Sequence, residues 1–331
     1  MKLSIVILCW NDQAVIADCL QSIFTNTRLT EFEVIVSDNG STDRSVEFIR
    51  QHYPQVRVIE NGENLRFAKA NNVGIRASKG EYVLILNPDT IIHDGALDNL
   101  VLFADQHPEA GAFGCKVLNS DGTYQESGRP FASLSREWVM ALGLRPFAQF
   151  FRWLSSGTYA GWKGEAQRTV DWLSGCFILA RRDLLERLGG FDEQFFYYYE
   201  DMDLCRRIWE AGYPIVYTPE MSITHLGGQS TKRFPIAFAL DSQVTRYRYY
   251  YKYYGERGAF RARRVVLTSL LIRRLAYGLI KFVRPTDNVK SRLELFRVLF
   301  AWNIRVDPVK LVENGEEPQL KLKSIARVLN R

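Results

Sequence analysis

Apolar and polar positions change period along this chain, and those changes divide it into elements. Leu3–Leu8 is an unbroken apolar run, which predicts a strand buried on both faces of a parallel sheet. Behind it Val15, Ile16, Cys19, Leu20, Ile23 and Phe24 recur with helical spacing, and Asn11 or Asp12 can cap that helix. A strand at Glu33–Ser37, a helix from about Asp43 and a strand at Val56–Glu60 follow. A helix over Phe67–Ala77 and an apolar strand at Tyr82–Leu86 complete the series. This β-α-β-α-β-α-β order predicts an α/β fold with a mostly parallel central sheet and helices on both faces. Ligands of such sheets bind beyond the carboxyl ends of the strands.

The second half is less regular. Gly111 to Gly164 carries many Gly, Ser and Trp residues and reads as lids and substrate loops. A short helix after Asp183 should stop at Gly189-Gly190, where glycine permits a left-handed cap. Another begins near Glu200, carries Leu204, Cys205, Ile208 and Trp209 on one side, and ends at Gly212. Pro214–Thr218 then returns as a strand. Val265–Val283 is rich in Leu, Ile and Val, but Arg273 and Arg274 stand in its middle. A spanning helix needs roughly 20 mostly apolar residues, and two central arginines oppose insertion. An amphipathic helix lying in a membrane interface, its arginines reaching to headgroups, is the expectation.

Composition and charge add to this picture. The 331 residues, 47% of them hydrophobic, suit one large globular domain with or without an appendage. Cys9, Cys19, Cys115, Cys176 and Cys205 lie in apolar or helical stretches without a Cys-x-x-Cys spacing, as buried reduced thiols would. The start is too short for a signal peptide and lacks a small-residue cleavage site, which makes a cytoplasmic protein the expectation. Net charge is +6, but residues 246–285 alone hold eleven basic residues against one acidic. The tyrosine- and arginine-rich run Arg246–Tyr254 has the interleaving of a nucleic-acid surface. The adjoining apolar helix favours an anionic membrane surface instead, with no nucleic acid.

The candidate chemistry lies at predicted element ends. Asp38-Asn39-Gly40-Ser41-Thr42-Asp43 and Asn87-Pro88-Asp89-Thr90 follow strands, Glu200-Asp201-Met202-Asp203 opens a helix, and His225 follows a strand-like stretch. Carboxylates and an imidazole can hold a hard divalent cation and deprotonate a hydroxyl. No Gly-x-Gly-x-x-Gly follows the first strand and no phosphate-binding Gly-Lys-Ser/Thr loop occurs, so dehydrogenase and P-loop readings lose their main support.

Ser-Ile-Val-Ile-Leu-Cys-Trp-Asn, Val-Ser-Asp-Asn-Gly-Ser-Thr-Asp, Glu-Asn-Leu-Arg-Phe-Ala-Lys-Ala-Asn-Asn and Leu-Asn-Pro-Asp-Thr resemble the inverting nucleotide-sugar glycosyltransferases of family two, with the GT-A fold. Trp-Leu-Ser-Gly-Cys, the run from Gly189 to Arg207 and His-Leu-Gly-Gly-Gln-Ser are similar to its rhamnosyltransferase-like branch. The resemblance covers roughly residues 3–255. It implies a GT-A domain over 1–255, with a nucleotide half to about residue 110 and an acceptor half over 111–255. Residues 256–331 would form a basic amphipathic helical region.

By this resemblance Asp38 binds the nucleotide's base or ribose, although Asp-Asn-Gly also favours turns. Trp10 and Asn11 line the same pocket, with packing the plain alternative for Trp10. Asn64, Phe67 and Asn71 pack under the nucleotide. Arg66 stands where the family usually has glycine, either as a cation near the diphosphate or as a solvent-facing residue. Asn87 and Asp89 occupy the Asp-x-Asp position. Asp89, completed by His225, would hold Mg²⁺ or Mn²⁺ against the donor's diphosphate. Asp201 is the expected general base and Glu200 the runner-up, since adjacent helical residues point about 100° apart. Asp203 is expected to bind backbone or Arg206. Trp172 and Gly175 would receive the acceptor, an indole face suiting a sugar's C–H face. The implied activity is transfer of rhamnose from dTDP-rhamnose to a lipid-linked saccharide at the inner membrane face. A hexosyl or N-acetylhexosaminyl transferase using a UDP or GDP sugar and a non-catalytic nucleotide-sugar or glycan binder are the rivals.

Overall fold

The structure, a computed structural model, describes residues 1–144, 159, 162–227 and 235–315. It has two compact units: residues 1–131, 162–196 and 200–229, and residues 132–161, 197–199 and 230–331. Residues 230–255 thus group with the C-terminal helices, ahead of the boundary expected at residue 255.

The first unit begins with the alternation read above. It runs β1 (Leu3–Cys9), α1 (Gln13–Asn26), β2 (Phe32–Asp38), α2 (Ser45–His52), β3 (Arg57–Glu60), α3 (Arg66–Ala77) and β4 (Tyr82–Leu86). β1 pairs in parallel with β2 and β4, and β3 extends the sheet from β2. Leu3, Ile5 and Ile7 share one apolar layer with Ile16, Leu20 and Ile23 of α1. Val6, equally buried, points the other way. There Gly74 lets α3 lie against the sheet, because a Cβ on it would stand 2.3 Å from Val6 Cγ1. Burial on both faces is why β1 reads as an uninterrupted apolar run.

After β4 the sheet departs from a mostly parallel plan. β5 (Thr90–Ile92), α4 (Ala96–Gln106), β6 (Ala112–Leu118) and the short β7 (Tyr124–Gln125) and β8 (Gly128–Arg129) come next. Past α5 (Leu134–Ala141), which belongs to the second unit, follow β9 (Arg168–Thr169), β10 (Trp172–Leu173), β11 (Phe177–Arg181), α6 (Arg182–Leu188), α7 (Glu200–Glu210) and β12 (Ile215–His225). The main strand order is β3-β2-β1-β4-β11-β6-β12-β5. β11 runs antiparallel to both β4 and β6, and β5 antiparallel to β12, so the sheet is mixed. Antiparallel neighbours need no crossover helix, and the helix–strand rhythm that signals a parallel sheet therefore stops at β4. The span from Gly111 is likewise not all loop, since β6 is a largely buried central strand.

The second unit is helical. With α5 it holds α8 (Pro235–Val283), α9 (Asp287–Arg305) and α10 (Pro308–Glu313). Gly255, at φ 63° and ψ −168°, breaks α8 into two arms. Tyr247, Tyr249 and Tyr250 are fully buried, so these rings are core and offer no stacking platform to bases. Arg263 donates to the carbonyls of Asn303 and Ile304 at the end of α9, at 2.8 and 2.6 Å. Arg273 and Arg274 lie over the rings of Phe296 and Phe300. Part of the basic run is therefore spent inside the unit. Among the described residues no helix is long and apolar enough to cross a membrane.

Candidate active site

The strand ends of the first unit are tied together by side chains that favour turns. Asp38 ends β2 and is 3% exposed. Its Oδ2 accepts the backbone N–H groups of Gly40 and Ser41, both at 3.1 Å, while Oδ1 is buried without a partner. A buried carboxylate oxygen left unpaired is costly unless a ligand donor meets it. Asn11, at φ 57°, accepts from the N–H groups of Thr42 and Asp43 at 2.7 and 3.1 Å and so joins the loops after β1 and β2. Its carboxamide oxygen is occupied by backbone. Trp10 is half-buried beside it, its N–H donating to Asp12.

The segment after β3 is organised by Asn39, a residue the motif reading passed over. Buried at 1% exposure, Asn39 reaches Asn64 at 3.1 Å and accepts from Leu65 N–H at 3.1 Å. Asn64 is exposed and accepts from Arg66 N–H at 2.9 Å, shaping the entry to α3. Asn71 turns onto its own helix and donates to the Phe67 carbonyl at 2.9 Å, and its Oδ1 is buried without a partner. Arg66 has φ 69°, the left-handed region in which glycine is unstrained. It does not face solvent as the bland reading had it, because its guanidinium lies 4.0 Å from the Phe196 ring centroid.

Sheet register brings the expected metal pair together. His225 ends β12 opposite Thr90 of β5, one residue past Asp89. His225 Nε2 consequently lies 3.2 Å from Asp89 Oδ1 and 3.2 Å from the Asn87 side-chain nitrogen. On the other ring edge Nδ1 meets Gln125 Oε1 at 2.6 Å, which fixes the imidazole plane. Gln125 was not legible because β7 is two residues long within a stretch that reads as loop. Burial opposes charge on His225, but the hydrogen bond to Asp89, then Cys176, outweigh it and raise its pKa to about 10. A carboxylate and an imidazole nitrogen at this spacing suit Mg²⁺ or Mn²⁺ whose other ligands are diphosphate or water oxygens. Among the described residues no group of three or more His, Cys, Asp or Glu side chains stands at metal-binding spacing. The last three residues of the His-Leu-Gly-Gly-Gln-Ser motif lie outside the described residues.

Gly175 and Phe67 meet beside Asp201. Its Oδ2 accepts Gly175 N–H at 2.9 Å and its Oδ1 accepts Met202 N–H at 2.8 Å. A Cβ on Gly175 would stand 3.2 Å from Phe67 Cζ and 3.5 Å from Asp201 Oδ2. Phe67, Gly175 and Asp201 are thus near neighbours, although they come from three separate motifs. Burial raises the Asp201 carboxyl above its usual range, against the Gly175 and Met202 N–H bonds and the charge of Arg129. Glu200 is buried at 6% exposure with Oε2 unpartnered, and burial, then the Asp201 charge, push its pKa well up. Asp201, half-buried, is the more accessible of the two. Asp203 is fully buried and receives Arg207 Nε at 2.8 Å. This is an i,i+4 pair, and Arg206 Nε reaches Glu210 at 3.2 Å. Trp172 is 9% exposed, donates to the Pro130 carbonyl at 2.9 Å, and has Arg129 over its ring at 5.3 Å. Its indole face is covered rather than open.

Parallel strands β2, ending in Asp38, and β4, followed by the turn that holds Asp89, continued by a mixed half that returns Asp201 and His225 to the same unit, define the GT-A class of nucleotide-sugar transferases. The model of Glycosyl transferase family 2 matches residues 4–189, more than half of the chain. The chain is 37% identical over 215 residues to an N-acetylglucosaminyl-diphospho-decaprenol L-rhamnosyltransferase of Mycobacterium tuberculosis, covering 61% of this chain and 69% of the relative. It is 27% identical over 213 residues to a rhamnosyltransferase of Escherichia coli strain K12, covering 61% and 76%. A mannosyltransferase of Pyrobaculum calidifontis, solved with GDP-Man and Mn²⁺, superposes with a TM-score of 0.54 at 18% identity, covering 95% of this chain and 88% of that one. This protein belongs to glycosyltransferase family 2.

Proposed function

We propose that this glycosyltransferase moves rhamnose from dTDP-rhamnose to a hydroxyl of a lipid-linked saccharide, with inversion, during cell-surface polysaccharide or O-antigen synthesis. The observation that carries the catalytic reading is the meeting of Asp89 with His225 at 3.2 Å in the unit that also gathers Asp201, Gly175 and Phe67. The choice of rhamnose is supported by the names of both bacterial relatives, and that of a lipid-linked acceptor by the name of the Mycobacterium tuberculosis one. Asp38 Oδ1, buried and unpaired, would accept from the donor's base or ribose. Asp201 would take the acceptor hydroxyl's proton as that oxygen attacks the anomeric carbon. The bond from that carbon to the diphosphate breaks as the new one forms, and the nucleoside diphosphate leaves with the electron pair. Asp89 and His225 would hold Mg²⁺ or Mn²⁺, which when bound supplies positive charge against the departing diphosphate.

The enzyme would work at the inner face of a membrane. In support, the second arm of α8 exposes Leu275 at 63%, Leu279 at 73% and Phe282 at 92%, an apolar edge within a basic helix. Calorimetric titration with dTDP-rhamnose, UDP-glucose, UDP-N-acetylglucosamine and GDP-mannose, with Mn²⁺, Mg²⁺ or EDTA, tests donor and metal together. Metal-dependent preference for dTDP-rhamnose is the expected result. Preference for a UDP or GDP sugar would keep the enzyme class and reject rhamnose.

A further inference from the structure

The helical unit contains a cavity of about 530 Å³ that the transfer chemistry does not use. Its size is within the range of small-molecule sites. Its walls combine apolar and cationic side chains. Val266, Leu270, Phe296 and Leu299 are buried and apolar. Arg136, Arg246, Arg273 and Arg292 also line it, against a single acidic residue, Glu137. That carboxylate is already engaged, by Arg246 at 3.7 Å and by the Tyr199 hydroxyl at 3.2 Å. Gln243 lines the same cavity at 9% exposure, and its Oε1 is buried with no hydrogen-bond partner among the described residues. An unsatisfied buried carbonyl oxygen in a native fold calls for a hydrogen-bond donor from outside. Arg273 and Arg292 are exposed and flank the opening, with Arg273 at 5.8 Å from the Phe296 ring.

We propose that this cavity binds an amphipathic anion: the phosphate or diphosphate head of a long aliphatic chain. Guanidinium groups recognise phosphate oxygens with paired, charge-assisted hydrogen bonds. The apolar walls then face the first carbons of the chain. α8 runs on from Ser269, Leu270 and Arg273 at the cavity to Leu275, Leu279 and Phe282, whose exposure provides an apolar path for the rest of that chain. A nucleic-acid strand would satisfy the arginines but leave the aliphatic wall without a partner. Aromatic platforms for bases are also missing, Phe296 being the one aromatic residue in the lining. The assignment rests on the proposed function only in taking the ligand to be the lipid-linked acceptor; its chemistry follows from the lining.

The test is calorimetric titration of the full chain with farnesyl diphosphate below its micellar concentration, inorganic diphosphate and farnesol. Farnesyl diphosphate should bind much more tightly than either fragment. The double substitution Arg273→Gln, Arg292→Gln should weaken it about tenfold or more, and Leu270→Trp, which fills the cavity, should abolish it. Both variants should bind the nucleotide sugar as the wild type does, which shows that they are folded. Equal binding of inorganic diphosphate would leave an anion site without a lipid role and overturn the proposal. Farnesyl diphosphate affinity unchanged in both variants would also overturn it. Failure of the wild type to bind any nucleotide sugar would count against the donor reading alone, since the cavity is read out separately.

Discussion

Glu200 and Asp201 show how one helical step separates two roles. Both carboxyls are raised by burial, but only Asp201 has its oxygens oriented, by the N–H groups of Gly175 and Met202. A base must be ionised to work, so activity should rise with pH through the raised Asp201 value. The acidic limb of kcat/KM should therefore lie above the ordinary carboxylate value of about 3.9. A limb at or below that value would contradict the assignment. Glu200 has a different consequence. Its folded pKa is raised, so the folded state holds the proton more tightly, and stability should fall as pH rises from the unfolded value of about 4.3 toward the folded one. Glu200→Gln cannot ionise and should remove that slope, so melting temperatures of the two proteins should diverge with rising pH in favour of the variant. The motif spacing named both residues; it could not show that Glu200 Oε2 is buried without a partner, because that depends on packing from distant segments. Arg66 was legible as a departure from glycine. The φ of 69° supplies the physical reason glycine is expected there, and Phe196 supplies a stacking partner for the arginine that replaces it.

At the scale of elements, the parallel half was legible because each strand is buried on two faces and followed by a helix of clear period. The antiparallel half was not. β6 and β11 carry apolar runs of the same kind, but they pair antiparallel with each other, which no local pattern signals, and the two-residue β7 has no sequence period at all. This hid the device that brings Asp89 and His225 together, the β12–β5 register placing His225 opposite Thr90. Gly74 tests the packing of the legible half. In an isolated helix Ala would be favoured over Gly by about 1 kcal/mol. Here the added Cβ meets Val6 Cγ1 at 2.3 Å, within a core that cannot yield freely. Gly74→Ala should destabilise by about 1–3 kcal/mol in urea unfolding. A stabilised variant would show that the α3–β1 contact is looser than the structure has it.

For the molecule as a whole, the uneven charge divides into two uses. Arg246 and Arg263 are tied up inside the helical unit by Tyr199, Glu137 and the carbonyls ending α9, so net charge overstates what a partner meets. What remains outward is the apolar end of α8 with its neighbouring basic residues. Leu275→Asp with Leu279→Asp should reduce flotation with anionic liposomes while leaving donor binding intact. Flotation equal to wild type would remove this edge from the account. Composition located the basic segment; only packing separates the arginines that hold the fold from those that face outward.

The central claim is that Asp201 takes the acceptor proton in a nucleotide-sugar transfer. It is tested most directly by single-turnover transfer from dTDP-rhamnose to a lipid-diphosphate-linked N-acetylglucosamine, comparing wild type with Asp201→Asn. The expected loss is about 10²–10⁴-fold in the rate of transfer, with the donor dissociation constant unchanged. Transfer by Asp201→Asn at the wild-type rate would contradict the account and return the search for the base to Glu200.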